Sequence, residues 1–339
     1  MPGRVAPNVR IVKYVSFTNP GAPDVLFVAE APAPVPRPGE VLIEVEAAGV
    51  SRADTLQRRG SYPPPPGASP ILGLECSGTI AQIGTGVSGR TVGDRVVALC
   101  NGGGYSQYVC VPDGQVLELP PQWSFVEGAT LPENAFTVYD NLLTRARLRA
   151  GETVLIHGGT SGIGTTAIMF ARAVGARPFV TVGTEHKCQA AIGLGAEAAI
   201  DYHCADFVEK VSELTEKRGV DVILDIIGGS YLNRDLRALA TDGRIACIAT
   251  AGGMESTIDL RYLLQRRATI LGSSLRPRTS QEKAAIAAGL RADIWPLLGA
   301  RDPIRPIVDS VYSFEAAAQA HERLESSGHI GKIVLVPGP

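Results

Sequence analysis

The stretch from Thr153 to Val174 constrains this chain most. A short apolar strand, TVLIH, runs into GGTSGIG and then into a helical segment that begins on glycines. Glycine is needed where a backbone turns tightly, where it approaches a pyrophosphate, and where a helix packs closely on its strand. The helix start then points unpaired N–H groups at an anion. A Gly-rich turn by itself is weak evidence. This one follows a strand, opens a helix and heads an alternating array, which is the context that gives it meaning. The array continues with strands at Phe179–Val182, Ala198–Asp201, Val220–Ile227, Arg244–Ala249 and Thr269–Gly272. Helices intervene at Glu185–Leu194, about Asp206–Thr215 and Leu232–Ala240. Such βαβ repetition predicts an α/β fold, a Rossmann doubly wound parallel sheet that binds a nicotinamide dinucleotide.

The end of the second strand speaks to which dinucleotide. An NAD-preferring site places Asp or Glu there, about 20 residues beyond the glycines, to accept from the ribose 2′-OH. Here the matching positions are Gly183 and Thr184, followed by Glu185, His186 and Lys187. A hydroxyl with a nearby cation suits a 2′-phosphate. Glu185 turned inward would favour NAD; as a solvated first-turn residue it faces the helix dipole instead. The balance favours NADPH. Gly228, Thr250 and the Gly272–Leu275 stretch, with Ser274, follow parallel strands, where ligands bind in such sheets.

Ahead of this array the texture differs. From Ile11 to about Pro120 short strands alternate with turn signals. VLIEVEA at Val41–Ala47 shows the period-2 pattern of a half-buried strand, and Cys76–Ile83 and Arg95–Leu99 are similar. The Pro63–Pro66 run is a loop. The first ten residues are expected to fray. A final apolar strand, Ile333–Val336, follows helices after Leu275. It would most simply return to the β-rich part, making that domain discontinuous: residues 1–135 and 276–339, with the dinucleotide domain at 136–275.

Composition narrows the function classes. The 339 residues are 45% apolar and 19% charged, an ordinary globular balance. A formal net charge of −2 offers no row of cations for phosphates, so no nucleic-acid partner is expected. The six cysteines are scattered without a C-x-x-C pair, which predicts buried free thiols rather than a disulfide frame. There is no signal-peptide h-region and no membrane-length apolar run, so a cytoplasmic protein without a membrane partner is expected.

Three segments carry a resemblance: SRADTLQRRGSYPPPPGASPILGLECSG from Ser51 to Gly78, VLIHGGTSGIGTTAI from Val154 to Ile168, and HIGKIVL from His329 to Leu335. Through them the chain beyond its first ten residues resembles a zinc-independent quinone oxidoreductase of the medium-chain dehydrogenase/reductase superfamily. The first segment is most similar to the p53-inducible type. The resemblance implies a GroES-like β-rich catalytic domain beside the Rossmann domain. Zinc-dependent cousins carry Cys in G-x-C-x-x-D and His in G-H-E. Here Ser51 and Leu74 stand at those positions, and Glu75 alone makes no site, so no metal is expected.

The resemblance also implies site residues. Gly159, Ser161, Gly162 and Ile163 belong to the glycine turn. Gly183, Thr184 and Lys187 would meet the 2′-phosphate, with Tyr202 joining them or standing as a plain surface aromatic. Thr137 would approach the nicotinamide, or be a helix residue with a satisfied hydroxyl. Lys332 would reach the cofactor cleft, or simply begin the last strand. On the substrate side, Tyr62 could stack on a quinone. Ser51 replaces the Asn of close relatives and offers one hydroxyl where Asn offers donor and acceptor. Asp54 is expected to hold its loop or the nicotinamide end rather than act as a base. The implied activity is NADPH-dependent reduction of a small-molecule quinone. Reduction of enones or alkenals, and cofactor binding without catalysis, are the alternatives. A homodimer is implied as well.

Overall fold

The computed structural model describes residues 10–298 and 305–338. Nine of the ten residues expected to fray lie outside the described residues. Seven strands come first: β1 (Ile11–Ser16), β2 (Phe27–Pro32), β3 (Glu40–Val50), β4 (Glu75–Ile83), β5 (Arg95–Leu99), β6 (Tyr108–Pro112) and β7 (Val116–Glu118). Six follow: β8 (Thr153–His157), β9 (Arg177–Val182), β10 (Ala198–Asp201), β11 (Val220–Asp225), β12 (Leu239–Cys247) and β13 (Thr269–Gly272). The chain closes with β14 (Val308–Ser313) and β15 (Lys332–Val336).

The chain divides into two compact units. One comprises residues 1–133, 308–328 and 332–339; the other comprises 134–307 and 329–331. The return to the first unit thus comes at Val308, not at residue 276 as expected. The segment after Leu275 forms helical turns that bond within the second unit: Arg278 pairs with Asp140 at 2.6 Å, and Tyr139 donates to Asp293 at 2.5 Å. The other boundary falls inside the helix Pro132–Val138.

The second unit holds a six-stranded sheet in the order β10-β9-β8-β11-β12-β13, parallel throughout. Strand order reverses between β8 and β11, which is the switch point of a doubly wound sheet. All five residues of β8 are buried, as a central strand covered on both faces requires. One boundary differs from the pattern. The helix expected over Leu232–Ala240 spans Tyr231–Ala238, and β12 begins at Leu239, which already pairs with Val220. The buried Leu239 belongs to the sheet, and Asp242, at φ 62°, breaks the strand's regularity.

The first unit holds a seven-stranded sheet, β14-β15-β3-β4-β5-β7 with β6 also on β3, and a separate β1–β2 pair. Its core is built by alternate residues of these strands, among them Val41, Ile43, Val45, Ile80, Val96, Ile333 and Leu335. All six cysteines are free; Cys76, Cys100 and Cys188 are buried, whereas Cys204 is exposed and Cys110 and Cys247 are half-buried. No helix among the described residues is long and apolar enough to cross a membrane.

Candidate functional site

In the second unit, every expected cofactor residue from Gly159 to Ser274 lies beyond the carboxyl end of a parallel strand. The turn after β8 is folded by its glycines. Gly158 sits at φ 71°, where a side chain would be strained. A Cβ on Gly159 would overlap Val180, and one on Gly164 would collide with the Gly158 carbonyl oxygen. Only glycine lets the helix Gly162–Ala173 start this close to the turn. Ser161 caps that helix: its Oγ accepts from the Gly164 N–H at 3.0 Å and donates to the Gly158 carbonyl at 2.8 Å. Gly162 and Ile163 occupy the first two helical positions, whose N–H groups lack intrahelical acceptors. This cradle fits a pyrophosphate, because glycines leave the turn bare of side chains and the N-terminus of a twelve-residue helix points into it.

Beyond β9 and β10 the residues expected at the 2′-phosphate come together. Tyr202 follows β10, and its hydroxyl lies so close to Gly183 that a Cβ there would approach within 2.5 Å. Thr184 caps the next helix, accepting from the Lys187 N–H at 3.2 Å. Lys187 is half-buried, while Glu185 and His186 are exposed. Beyond β11, Gly228 at φ 65° donates to the Asp225 carboxylate and lies against Thr250. Thr250 and Ser274 are exposed, and Thr137 is half-buried with its carbonyl accepting from Asn141. Sequence reasoning assigned no role to His157. This last residue of β8 is fully buried, bonded to Thr181 Oγ1 at 2.9 Å and to Asp235 Oδ1 at 2.8 Å, with Phe207 and Tyr231 edge-on to its ring. Burial holds the Asp235 carboxyl above its ordinary range, against the pull of His157.

In the first unit the register of three strands gathers a charged cluster. Antiparallel pairing of Ile333 with Val50 brings Lys332 level with Ser51, and pairing of Ala48 with Cys76 brings Glu75 level with Gly49. A Cβ on Gly49 would collide with the Glu75 carboxylate, so glycine makes room for it. Lys332 Nζ lies 2.5 Å from Glu75 Oε1 and donates to Ser51 Oγ at 2.9 Å. All three side chains are buried. The other Glu75 oxygen accepts from the Glu133 N–H at 2.9 Å. Burial works against the Lys332 ammonium, but Glu75 and Glu133 outweigh it and hold its pKa above the usual lysine value. Burial lifts the half-buried Glu133 carboxyl to about 7.

Asp54 joins this cluster from the helix Arg52–Arg58. It accepts from the Ser51 N–H at 2.8 Å, the Gly73 N–H at 2.9 Å and the Tyr105 hydroxyl at 3.3 Å. These bonds tie the Ser51 loop to the loop at Gly73. Behind it, Tyr105 meets His321 Nε2 at 3.3 Å, Arg58 donates to His321 Nδ1 at 3.2 Å, and Arg58 pairs with Glu325 at 2.6 Å. A guanidinium only donates, so Nδ1 accepts and the ring hydrogen sits on Nε2. Burial, with Arg58 adding to it, drives the His321 pKa down to about 3. Sequence reasoning passed over Arg58, Tyr105, Glu133 and His321. Tyr62 stands half-buried at the entry to the Pro63–Pro66 loop.

Comparison with known proteins places this geometry. Residues 37–121 match the alcohol dehydrogenase GroES-like domain, and residues 162–289 match the domain described as zinc-binding dehydrogenase. A quinone oxidoreductase of Lama guanicoe is 33% identical, over 98% of this chain and 99% of its own. The native structure of a mycobacterial quinone oxidoreductase is 30% identical with a TM-score of 0.82, covering 96% of this chain and all of the other. A mycobacterial structure complexed with NADPH (29% identical, TM-score 0.83) covers the same shares. CurK enoyl reductase is 26% identical with a TM-score of 0.85, covering 97% and 99%. Among the described residues no group of three or more His, Cys, Asp and Glu is placed to hold a metal. Around Glu75 and Ser51 the cation is the Lys332 ammonium. With a relative one-third identical from end to end, both domain types in chain order and a doubly wound sheet joined to a GroES-like unit, the chain belongs to the quinone oxidoreductases of the medium-chain dehydrogenase/reductase superfamily.

Proposed function

We propose that this oxidoreductase uses NADPH to reduce quinones, without zinc. The end of β9 carries the cofactor choice. Gly183 and Thr184 present no carboxylate to a ribose 2′-OH, and Lys187 stands half-buried beside them with Tyr202 over Gly183. In this reading Gly159, Ser161, Gly162 and Ile163 receive the pyrophosphate. Gly183, Thr184, Lys187 and Tyr202 receive the 2′-phosphate. Thr137, Gly228, Thr250 and Ser274 serve the nicotinamide half. When bound, the dinucleotide supplies the hydride. Ser51 and Tyr62 serve the acceptor, and Asp54 positions the Ser51 loop. Lys332, which reaches the cofactor cleft or begins the last strand in the resemblance, serves here through its hydrogen bond to Ser51. The cytoplasm and a homodimer complete the proposal.

Lys187→Ala tests the cofactor choice. A 2′-phosphate carries up to two negative charges, and one lost charge-assisted contact to it costs about 1.5–3 kcal/mol. NADPH should bind roughly 10- to 100-fold more weakly, with NADH unchanged. Equal effects on both refute the assignment. A second reading, reduction of enones, draws on the likeness to CurK enoyl reductase. NADPH consumption with a quinone and with a simple enone, measured side by side, separates the two.

A further inference from the structure

The Lys332–Ser51 contact serves no evident packing purpose. A lysine that merely ended a strand would send its ammonium to water; this one is buried and held by Glu75. Burying an ammonium is costly unless it is paired, so the fold commits Glu75, and the bare Gly49 beside it, to keeping a positive charge at this spot. That charge donates to Ser51 Oγ. A hydroxyl accepts through its lone pairs and keeps one hydrogen to give. Among the described residues the Ser51 hydroxyl hydrogen has no acceptor. Ser51 also begins the helix Arg52–Arg58, and Asp54 fixes its backbone. The hydroxyl is therefore held in position, polarised by a neighbouring cation and left with an unused donor.

We propose that Lys332 and Ser51 form an oxyanion donor, in which the ammonium strengthens the Ser51 hydroxyl as the hydrogen-bond partner of a conjugated carbonyl acceptor. This rests on the reductase reading above and narrows its substrates to acceptors whose reduction places charge on a carbonyl oxygen. Such an acceptor gains a hydride at one end of its conjugated system. The displaced π pair moves to the carbonyl oxygen at the other end, and that oxygen then takes one proton from water. The two electrons come from the dihydronicotinamide already assigned. Ser51 keeps its proton and acts only as a donor, so Lys332 remains an ammonium throughout. A donor fixed beforehand is most effective where charge develops, because it need not reorganise as the reaction proceeds.

The test reads a bound anion directly. 4-Nitrophenol is a phenol whose anion absorbs visible light, and a hydrogen bond to the charged form favours ionisation. Its absorbance is titrated against pH in the presence of wild type, Ser51→Ala and Ser51→Thr, each loaded with the oxidised dinucleotide. In wild type the ionisation midpoint of bound probe should fall by about one unit. Ser51→Thr should keep that shift and Ser51→Ala should abolish it. The pair Lys332→Met with Glu75→Gln removes the cation without stranding its partner, and should abolish the shift as well. In turnover, Ser51→Ala should lower kcat for a quinone at least tenfold, toward the loss of about 10²–10³ seen when an oxyanion donor is removed, with NADPH affinity unchanged. Equal ionisation of the probe in wild type and Ser51→Ala, or no binding of the probe, overturns the donor. Unchanged kcat in Ser51→Ala overturns it too and leaves the reductase reading standing. If wild type turns over no acceptor, the reductase reading fails, while the probe still reports on the donor.

Discussion

His321 makes the stability of this protein depend on pH in a way that can be isolated. The ring is fully buried between Tyr105 and Arg58, and its folded-state pKa is pushed down from 6.5 to about 3. The unfolded chain therefore binds a proton as pH falls below 6.5, and the folded chain does not until pH approaches 3. Stability rises with pH wherever the unfolded state holds more protons. The neutral ring thus causes no loss above pH 6.5 and a growing loss beneath it. Each unit costs about 1.4 kcal/mol, so pH 5 should cost about 2 kcal/mol and the full window about 5 kcal/mol. The comparison is between wild type and His321→Gln, a neutral side chain able to accept from Arg58. Both are unfolded in urea at half-unit steps from pH 7.5 to 4.5. The variant will start less stable, but that offset is constant. The difference between the two should shrink as pH falls, by about 1.4 kcal/mol per unit once below 6.5. Carboxylates titrate in both proteins and cancel. Parallel profiles would show that the ring charges in the folded state at its ordinary pKa, and would refute the reasoning.

Two further outcomes follow from close packing and charge pairing. Gly164→Ala should abolish dinucleotide binding by fluorescence titration, because its Cβ would meet backbone at Gly158 and Gly159, which cannot rotate away as a side chain can; retention of wild-type affinity would mean the turn relaxes freely. Lys332→Met should cost about 3–5 kcal/mol by leaving the Glu75 carboxylate buried and unpaired. Adding Glu75→Gln should recover most of that in urea unfolding, and failure to recover it would show that the lysine acts through packing.

How much of this was legible in the sequence depended on whether the signal was local. The strands β8, β10 and β13 were readable to the residue, because each is a short apolar or β-branched run next to a turn. Gly164 was readable because its need is set by Gly158 and Gly159 a few residues away, whereas Gly159 is required by Val180 on the next strand. The beginning of β12 was not readable, since Leu239 looks like the last apolar residue of a helix until its pairing with Val220 is known. The buried cluster of the first unit was least legible. Arg58 and His321 are 263 residues apart, and Ser51 and Lys332 are 281 apart. No spacing rule reaches across such distances. A lysine at the start of a strand reads as surface, and only the register of β15 on β3 brings it level with Ser51. Arg58 carried no signal beyond an ordinary helical pattern, yet its guanidinium is wholly buried.

The same cluster bears on the proposal that the reduction proceeds without a metal. A metal Lewis acid places a fixed positive charge next to an oxygen that becomes negative. Ser51 and Leu74 cannot ligate one as the zinc-dependent cousins' Cys and His do. The positive charge is still present. It belongs to Lys332, is anchored by Glu75 and stands one hydroxyl away from any acceptor of the Ser51 hydrogen. An ammonium acting through a hydroxyl is a weaker electrophile than a dication in direct contact. It suits an acceptor that is already electron-poor and suits a simple alcohol badly, because an alcohol must be deprotonated before it yields a hydride. The carboxylates beside it set the strength of this arrangement. Glu75 pairs with the charge directly, Asp54 is spent on backbone N–H groups and Tyr105, and burial raises the Glu133 carboxyl well above its ordinary range. Of the three carboxylates only Glu75 touches the ammonium, and its second oxygen is taken by the Glu133 N–H, so part of the ammonium's field is left for Ser51. A second carboxylate in direct contact with Lys332 would hold its proton more firmly but cancel more of that field, so a single touching partner helps to keep the hydroxyl polarised.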